Sequence, residues 1–348
     1  MRDERIVFST EGYGKKPREI DNLGAYNGYS QPPSIRFALR NGATKDGRPL
    51  MAHHYSLLDS NTSHKHAVLF VVKPKESEGY GHAYLGWTGI IYGFTGMNEN
   101  GLAISVNNSD TLSNPLVNEF LNNFTNYLLE GVSVNLIGSG APMGIMEREI
   151  LTKQKNVDGA VDYLKSATFA FGWNVMLADA SGGVKGAELR SVIDKLENSR
   201  ETNASVYGPG DLDPFNKPIA SVGGDDLAMA SHYQTYYNKD GLPDDMSLHY
   251  LIFEIKPQRL WSTFYFRSLR SFFILKSKIA EKLGSADVEG MIELLRTPEL
   301  VDRRDSMSAV VYDLKEKTLH FSMGIIPATD GEFMELNLEK ALQEENVQ

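Results

Sequence analysis

The stretch from Gly89 to Asn108, GIIYGFTGMNENGLAISVNN, constrains the rest of the chain more than any other. Gly96 to Gly101 reads as a tight turn between two extended apolar runs. Before it, Ile90, Ile91, Tyr92 and Phe94 favour strand. After it, Leu102, Ile104 and Val106 alternate with Ala103, Ser105 and Asn107, the two-residue period of a strand with one face in a core. Asn100-Gly101 supplies residues that tolerate positive φ, as a close hairpin requires.

Other segments repeat the extended pattern. Ile35, Phe37 and Leu39 alternate with Ser34, Arg36, Ala38 and Arg40, and a turn around Lys45-Asp46-Gly47 leads to a second apolar segment, Pro49 to Ala52. The face that carries Ser34 also carries Arg36, and alternation alone assigns that face to solvent. Ala67 to Val72 (AVLFVV) is a continuous apolar strand of the kind covered on both sides. Trp173 to Ala180, Val184 to Leu189, Ser308 to Leu314 and Thr318 to Gly324 read as further strands, and Ala228 to Tyr237 as a short one.

Helical spacing appears from Val117 to Leu128, from Ala141-Pro142 to Leu151 with Ile145, Met146 and Ile150 inward, and from Val157 to Ser166. It returns from Gln258 to Leu283, with its aromatics in a core, and from Asp287 to Leu295 with Ser285 as cap. Residues 190 to 227 read as a long polar excursion, with Asp225 and Asp226 solvated. Strands and helices come in blocks and do not alternate. That order disfavours a Rossmann or barrel fold and fits a layered α+β protein with antiparallel sheets.

Composition excludes several functions. The formal charge of −10 over 348 residues argues against a broad basic surface for nucleic acid or anionic lipid. There is no cysteine, which removes disulfides, thiolate metal sites and thiol nucleophiles together. Met1 is followed by Arg-Asp-Glu-Arg with no apolar segment, so no signal peptide is read, and no apolar run reaches the length of a membrane span. His53, His54, His64 and His66 form the densest imidazole cluster, yet no H-E-x-x-H pattern accompanies it, and neither metal nor cofactor is expected.

An ordered set of motifs carries a resemblance: GMNENGLAISVNN, GAPMGIMEREIL with VDGAVDYL behind it, GWNVMLADASGGVKGAEL, SHY at Ser231 to Tyr233, and the closing LHFSMGIIPATDGEF. Together they resemble the penicillin acyltransferase-like (C45-type) branch of the N-terminal nucleophile hydrolases, related to bile-salt hydrolases and phospholipase B-like proteins. The resemblance implies a four-layer αββα sandwich. It implies residues 1–33 as a leader and 34–348 as a single domain. It also implies a nucleophile at the first residue of a strand, exposed by self-cleavage, whose freed α-amino group acts as base.

Carried onto this sequence, the nucleophile position, usually cysteine, falls on Ser34. Cleavage would then fall between Pro33 and Ser34. Position 34 has three readings: a natural serine nucleophile, an engineered or inactivating replacement of cysteine, or a degenerate site. Asn107 matches the family's Asn after the hairpin strand, whose amide stabilises the oxyanion; without the family it reads as a hydrogen-bonded strand end. His54 and Ser56 stand where Asn and Asp of an Asn-x-Asp pattern are expected. Ser231 stands where a later Asn is expected. His54 and Ser231 are therefore candidate substrate contacts.

The implied activity is hydrolysis or acyl transfer at a linear, non-peptide amide C–N bond of a small molecule. The alternatives are an inactive sandwich that binds a ligand and a lipid-ester hydrolase. Compartment and oligomeric state are open.

Overall fold

The structure is a computed structural model that describes residues 4–9, 34–56, 63–75, 77–90, 93–108, 141–169, 173–189, 204–212, 219–230, 264–301 and 306–344. The expected helix from Val117 to Leu128 and the tripeptide from Ser231 to Tyr233 lie outside the described residues.

Two antiparallel sheets form the centre. The larger runs β1 (Glu4–Ser9), β4 (Ala67–Val72), β5 (His82–Trp87), β6 (Thr95–Asn98), β7 (Ala103–Asn108), β8 (Trp173–Ala178), β9 (Val184–Leu189) and β10 (Ala204–Tyr207) in that spatial order. The smaller runs β11 (Asp226–Met229), β2 (Ile35–Asn41), β3 (Gly47–Ser56), β12 (Ser306–Asp313), β13 (Thr318–Met323) and β14 (Met334–Asn337). β1 comes from the segment expected as leader and pairs with β4 at the sheet edge.

Helices α1 (Met143–Lys153) and α2 (Val157–Ser166) cover the outer face of the larger sheet, and α3 (Phe264–Lys282) and α4 (Val288–Leu295) that of the smaller. A short α5 (Leu338–Gln343) follows β14. The architecture is the αββα sandwich. Among the described residues, no helix is long and apolar enough to cross a membrane.

Alternation along the strands builds three apolar layers. In β4, Ala67, Leu69 and Val71 enter the space between the sheets, while Val68, Phe70 and Val72 meet α1 and α2. In β2, Ile35, Phe37 and Leu39 face α3 and α4, and Ala38 faces the other sheet. Each fully buried Leu, Ile, Val or Phe contributes about 1.5–3 kcal/mol, so the continuously apolar strands are those covered on both sides.

Several expectations need correction. The strand before the hairpin turn begins at Thr95, and Gly96, Met97 and Asn98 lie within β6, paired with β5 and β7. Ile90 lies outside any strand and is exposed. Asn98 sets the turn. Its Oδ1 accepts from the backbone N–H of Asn100 and Leu102 (both 3.1 Å), and its Nδ2 donates to the carbonyls of Leu151 (3.0 Å) and Gln154 (2.8 Å) at the end of α1. Ile145 is exposed, because α1 turns Met143, Met146, Ile150 and Leu151 inward.

α4 is capped by Asp287, which accepts from the Gly290 N–H, while Ser285 donates to the Lys282 carbonyl at the end of α3. Phe272 is in the core but Phe273, its neighbour on the helix, is exposed. Asp226 is wholly buried: its carboxylate accepts from the N–H groups of Val222 (2.8 Å) and Gly223 (2.6 Å), which replace the water it loses.

Candidate active site

Ser34 directly precedes β2 and is 0% exposed. Its Oγ accepts a hydrogen bond from the backbone N–H of Ser56 on β3, at 3.0 Å. The two-residue alternation places it on the face of Arg36 and Ala38. That face was assigned to solvent from the sequence. The second sheet covers it instead, and Arg36 heads the fully buried side chains by volume.

A guanidinium can be buried only where its protons are received. Arg36 Nη1 donates to the carbonyl of Asn174 on the facing β8 (2.8 Å), and Nη2 to the carbonyl of Ala230 just past β11 (3.2 Å). The Asn174 amide also reaches the Ala230 carbonyl at 3.4 Å. Arg36 thus ties the two sheets together. Burial draws its pKa down to about 9, against the opposing influence of Tyr207 and Glu188, so the group stays cationic at neutral pH.

The facing sheet presents a polar row in register across four strands. Asn107 pairs with Asn174, Asn174 with Glu188, and Glu188 with Ser205. On the same strands Ala103, Met176, Val184 and Tyr207 enter the apolar layer between the sheets, so the row looks toward β2 and β3. Tyr207 Oη donates to Glu188 Oε1 at 3.3 Å. Gly186 leaves the space for that ring: a Cβ there would lie 2.7 Å from Tyr207 Cζ.

β3 adds His53 and Tyr55 on this side, whereas His54 pairs with Ile35, whose side chain faces α3 and α4. The two neighbouring imidazoles therefore serve different layers. His54 Nδ1 lies 3.4 Å from Ser56 Oγ and stands on the face opposite Ser34. His54 and Ser34 thus stand on opposite faces of the smaller sheet. Asn107 is buried on the facing sheet. Ser231 lies outside the described residues, though the Ala230 carbonyl just before it belongs to the Arg36 network.

His53 is the cross-strand partner of Arg36 and is 1% exposed. Burial, then the charge of Arg36, then His54 hold its pKa well below the ordinary histidine value, so the ring is neutral. Its edge meets Tyr55 (centroids 5.9 Å), and Tyr55 stacks on Phe94 (4.7 Å) and lies against Trp87 (5.6 Å). His53, Arg36 and Glu188 were not singled out as site residues from the sequence. Among the described residues, no group of three or more His, Cys, Asp or Glu is placed to hold a metal.

Chemically, a hydroxyl at a strand start, a cation two residues along the same face, and a row of amides and a carboxylate opposite can receive a polar group between the sheets. They can also stabilise charge gathering on an oxygen there.

Residues 43–207, just under half of the chain, match the family model described as acyl-coenzyme A:6-aminopenicillanic acid acyl-transferase. The match begins C-terminal to Ser34 and includes Asn107. No curated protein matches the sequence. Among solved structures, the fold is similar to a Caenorhabditis elegans N-acylethanolamine-hydrolyzing acid amidase ortholog, at 12% identity and TM-score 0.49, over 81% of this chain and 93% of that one. It is similar to a mutant conjugated bile acid hydrolase from Clostridium perfringens, at 14% identity and TM-score 0.49, over 88% and 93%. It is also similar to penicillin V acylase from Agrobacterium tumefaciens, at 14% identity and TM-score 0.42, over 83% and 82%.

Proposed function

We propose that this chain, a member of the penicillin acyltransferase-like family by its residues 43–207, cleaves or transfers the acyl group of a linear, non-peptide amide with Ser34 as the nucleophile. The observation that carries the reading is the position of Ser34. It stands at the head of β2, on the Arg36 face, looking into the space where Asn107 and its row line the opposite sheet.

In the reaction, Ser34 Oγ bonds to the amide carbonyl carbon and the carbonyl electron pair moves onto oxygen. The hydroxyl proton passes to the α-amino group that Ser34 gains once the bond from Pro33 is cut, an amine whose ordinary pKa lies near neutrality. Collapse of the tetrahedral state expels the amine, which takes that proton. The ester left on Ser34 is released to water or to a second amine. The Asn107 amide supports the charged oxygen from the facing sheet.

Intact mass of the purified protein under denaturing conditions tests the reading, since β1 could hold a cleaved leader in place by its pairing with β4. The expected species is a chain beginning at Ser34 that gains an acyl mass with an amide substrate. Ser34→Ala is expected to stay uncut and unacylated, and Ser34→Cys to react. A wild-type chain that stays uncut and never acylates overturns the reading.

One observation favours a second reading, a sandwich that binds and does not catalyse: Ser34 has no exposed surface, and its Oγ is engaged by Ser56. Under that reading Ser34→Cys also stays uncut, while a small amide still binds.

A further inference from the structure

We propose that His53 is a second catalytic group of this site: as a neutral imidazole, it donates a ring N–H to the carbonyl oxygen of the amide that Ser34 attacks. The proposal rests on the reading of Ser34 as nucleophile.

Placement is the first support. Arg36 and His53 are directly opposite across the β2–β3 pair, so Ser34 and His53 are diagonal neighbours on one face. Such diagonals lie about 7–8 Å apart at the backbone, close enough for a hydroxyl and an imidazole to act on one carbonyl group. The Ser34 hydroxyl already leans to β3, the strand that carries His53, through its bond from the Ser56 N–H.

The second support is that, among the described residues, neither ring nitrogen of His53 has a hydrogen-bond partner, although the residue is buried. Buried polar groups are nearly always paired, and an exception calls for an explanation. A packing role would be met better by an apolar side chain of the same size. A neutral imidazole always keeps one N–H to give. Among the described residues, Nε of Arg36, the cross-strand partner of His53, is likewise without a hydrogen-bond partner, so two unused donors share the Ser34 face.

Electrostatics decides which role the imidazole can take. The groups that bear on it are Arg36 on β2 and His54 on its own strand, both of which disfavour the imidazolium. Glu188 and Tyr207 on the facing sheet act on Arg36. A base would have to become charged beside the guanidinium, whereas a donor stays neutral throughout. The Ser34 proton therefore goes to the α-amine, as above. His53 only holds the oxygen, together with the Arg36 charge, while the C–O bond forms and the carbonyl pair becomes an oxyanion.

The test compares His53→Gln, which keeps an N–H donor, with His53→Met, which has nearly the same shape and none. The probe is an alkyl fluorophosphonate. Ser34 Oγ displaces fluoride from phosphorus, and the phosphoryl oxygen occupies the carbonyl's place; the labelling rate of Ser34 is read by mass, and folding by urea titration. The expected result is His53→Gln within about tenfold of wild type and His53→Met slower by on the order of 10²–10³-fold, with both variants folded. Equal rates for the two variants, with Ser34→Ala unlabelled, overturn the role of His53 and leave Ser34 as nucleophile. Absence of label on wild-type Ser34 overturns both. If His53→Met does not fold, His53→Leu against His53→Asn makes the same comparison with the same two outcomes.

Discussion

Arg36 and Asn174 belong to different sheets, and the 2.8 Å hydrogen bond from the Arg36 guanidinium to the Asn174 carbonyl ties them together at the candidate site. Asn174 is also the register partner of Asn107 and of Glu188. The contact therefore also links the Ser34 face to the polar row opposite.

Replacing Arg36 by Met should be costly. It removes donors from two buried carbonyls and deletes the buried cation that the Glu188 carboxylate favours. Removing one partner of such an arrangement costs about 3–5 kcal/mol. A urea titration should show the midpoint falling accordingly, and an unchanged midpoint would mean that the sheets are held by their apolar layer alone.

The hairpin turn should be equally intolerant. Asn98→Ala deletes two accepted and two donated bonds that join the turn to the end of α1. At about 1 kcal/mol each, the loss is about 4 kcal/mol. Gly101→Ala should also destabilise, because Gly101 has φ +76° and a Cβ would press on the Leu314 carbonyl oxygen and lie 2.8 Å from Ala180 Cβ. Thermal melts of the two variants check both expectations.

Glu147 gives a pH dependence of defined sign. It is wholly buried in α1, neither carboxylate oxygen has a hydrogen-bond partner among the described residues, and burial raises its pKa well above the usual value of 4.5 despite the opposing effect of Arg148. The folded state therefore keeps a proton that the unfolded state has lost. Its contribution is fully present below about pH 4.5 and falls as pH rises toward the folded pKa, by up to about 1.4 kcal/mol per pH unit. Glu147→Gln should flatten this slope and be more stable than wild type at pH 8. Urea titrations at pH 5 and pH 8 measure the difference.

His53 acts at the other end of the scale. Its folded pKa lies below the ordinary value of 6.5, so the unfolded chain binds the proton first. Stability from this residue is present above about pH 6.5 and is lost as pH falls toward the folded pKa, again by up to about 1.4 kcal/mol per pH unit. His53→Gln should remove that acid-side loss. A stability profile between pH 4 and 7 that is the same in variant and wild type would contradict the buried neutral ring.

Periodicity in the sequence identified most strands, the two helices over 143–166, and the block order that leads to two antiparallel sheets. These patterns are local: a strand's alternation and a helix's apolar spacing are written in neighbouring residues. Val157, Ala160, Val161 and Leu164 are all buried as their spacing requires. Boundaries shifted where a side chain far along the chain decided them, as when Asn98 moved the hairpin turn by bonding to the end of α1.

The sequence by itself determined which residues share a face: Ser34 with Arg36 and Ala38, His53 with Tyr55, Asn107 with Ser105. Only the tertiary structure decided what covers each face. Ser34 and Arg36 read as solvent-exposed because a charged residue in alternation is ordinarily the wet one. The second sheet reverses that assignment. It brings the Asn174 carbonyl, more than a hundred residues away in sequence, to meet a guanidinium that could not otherwise be buried, and sets the Glu188 carboxylate where its charge favours that cation.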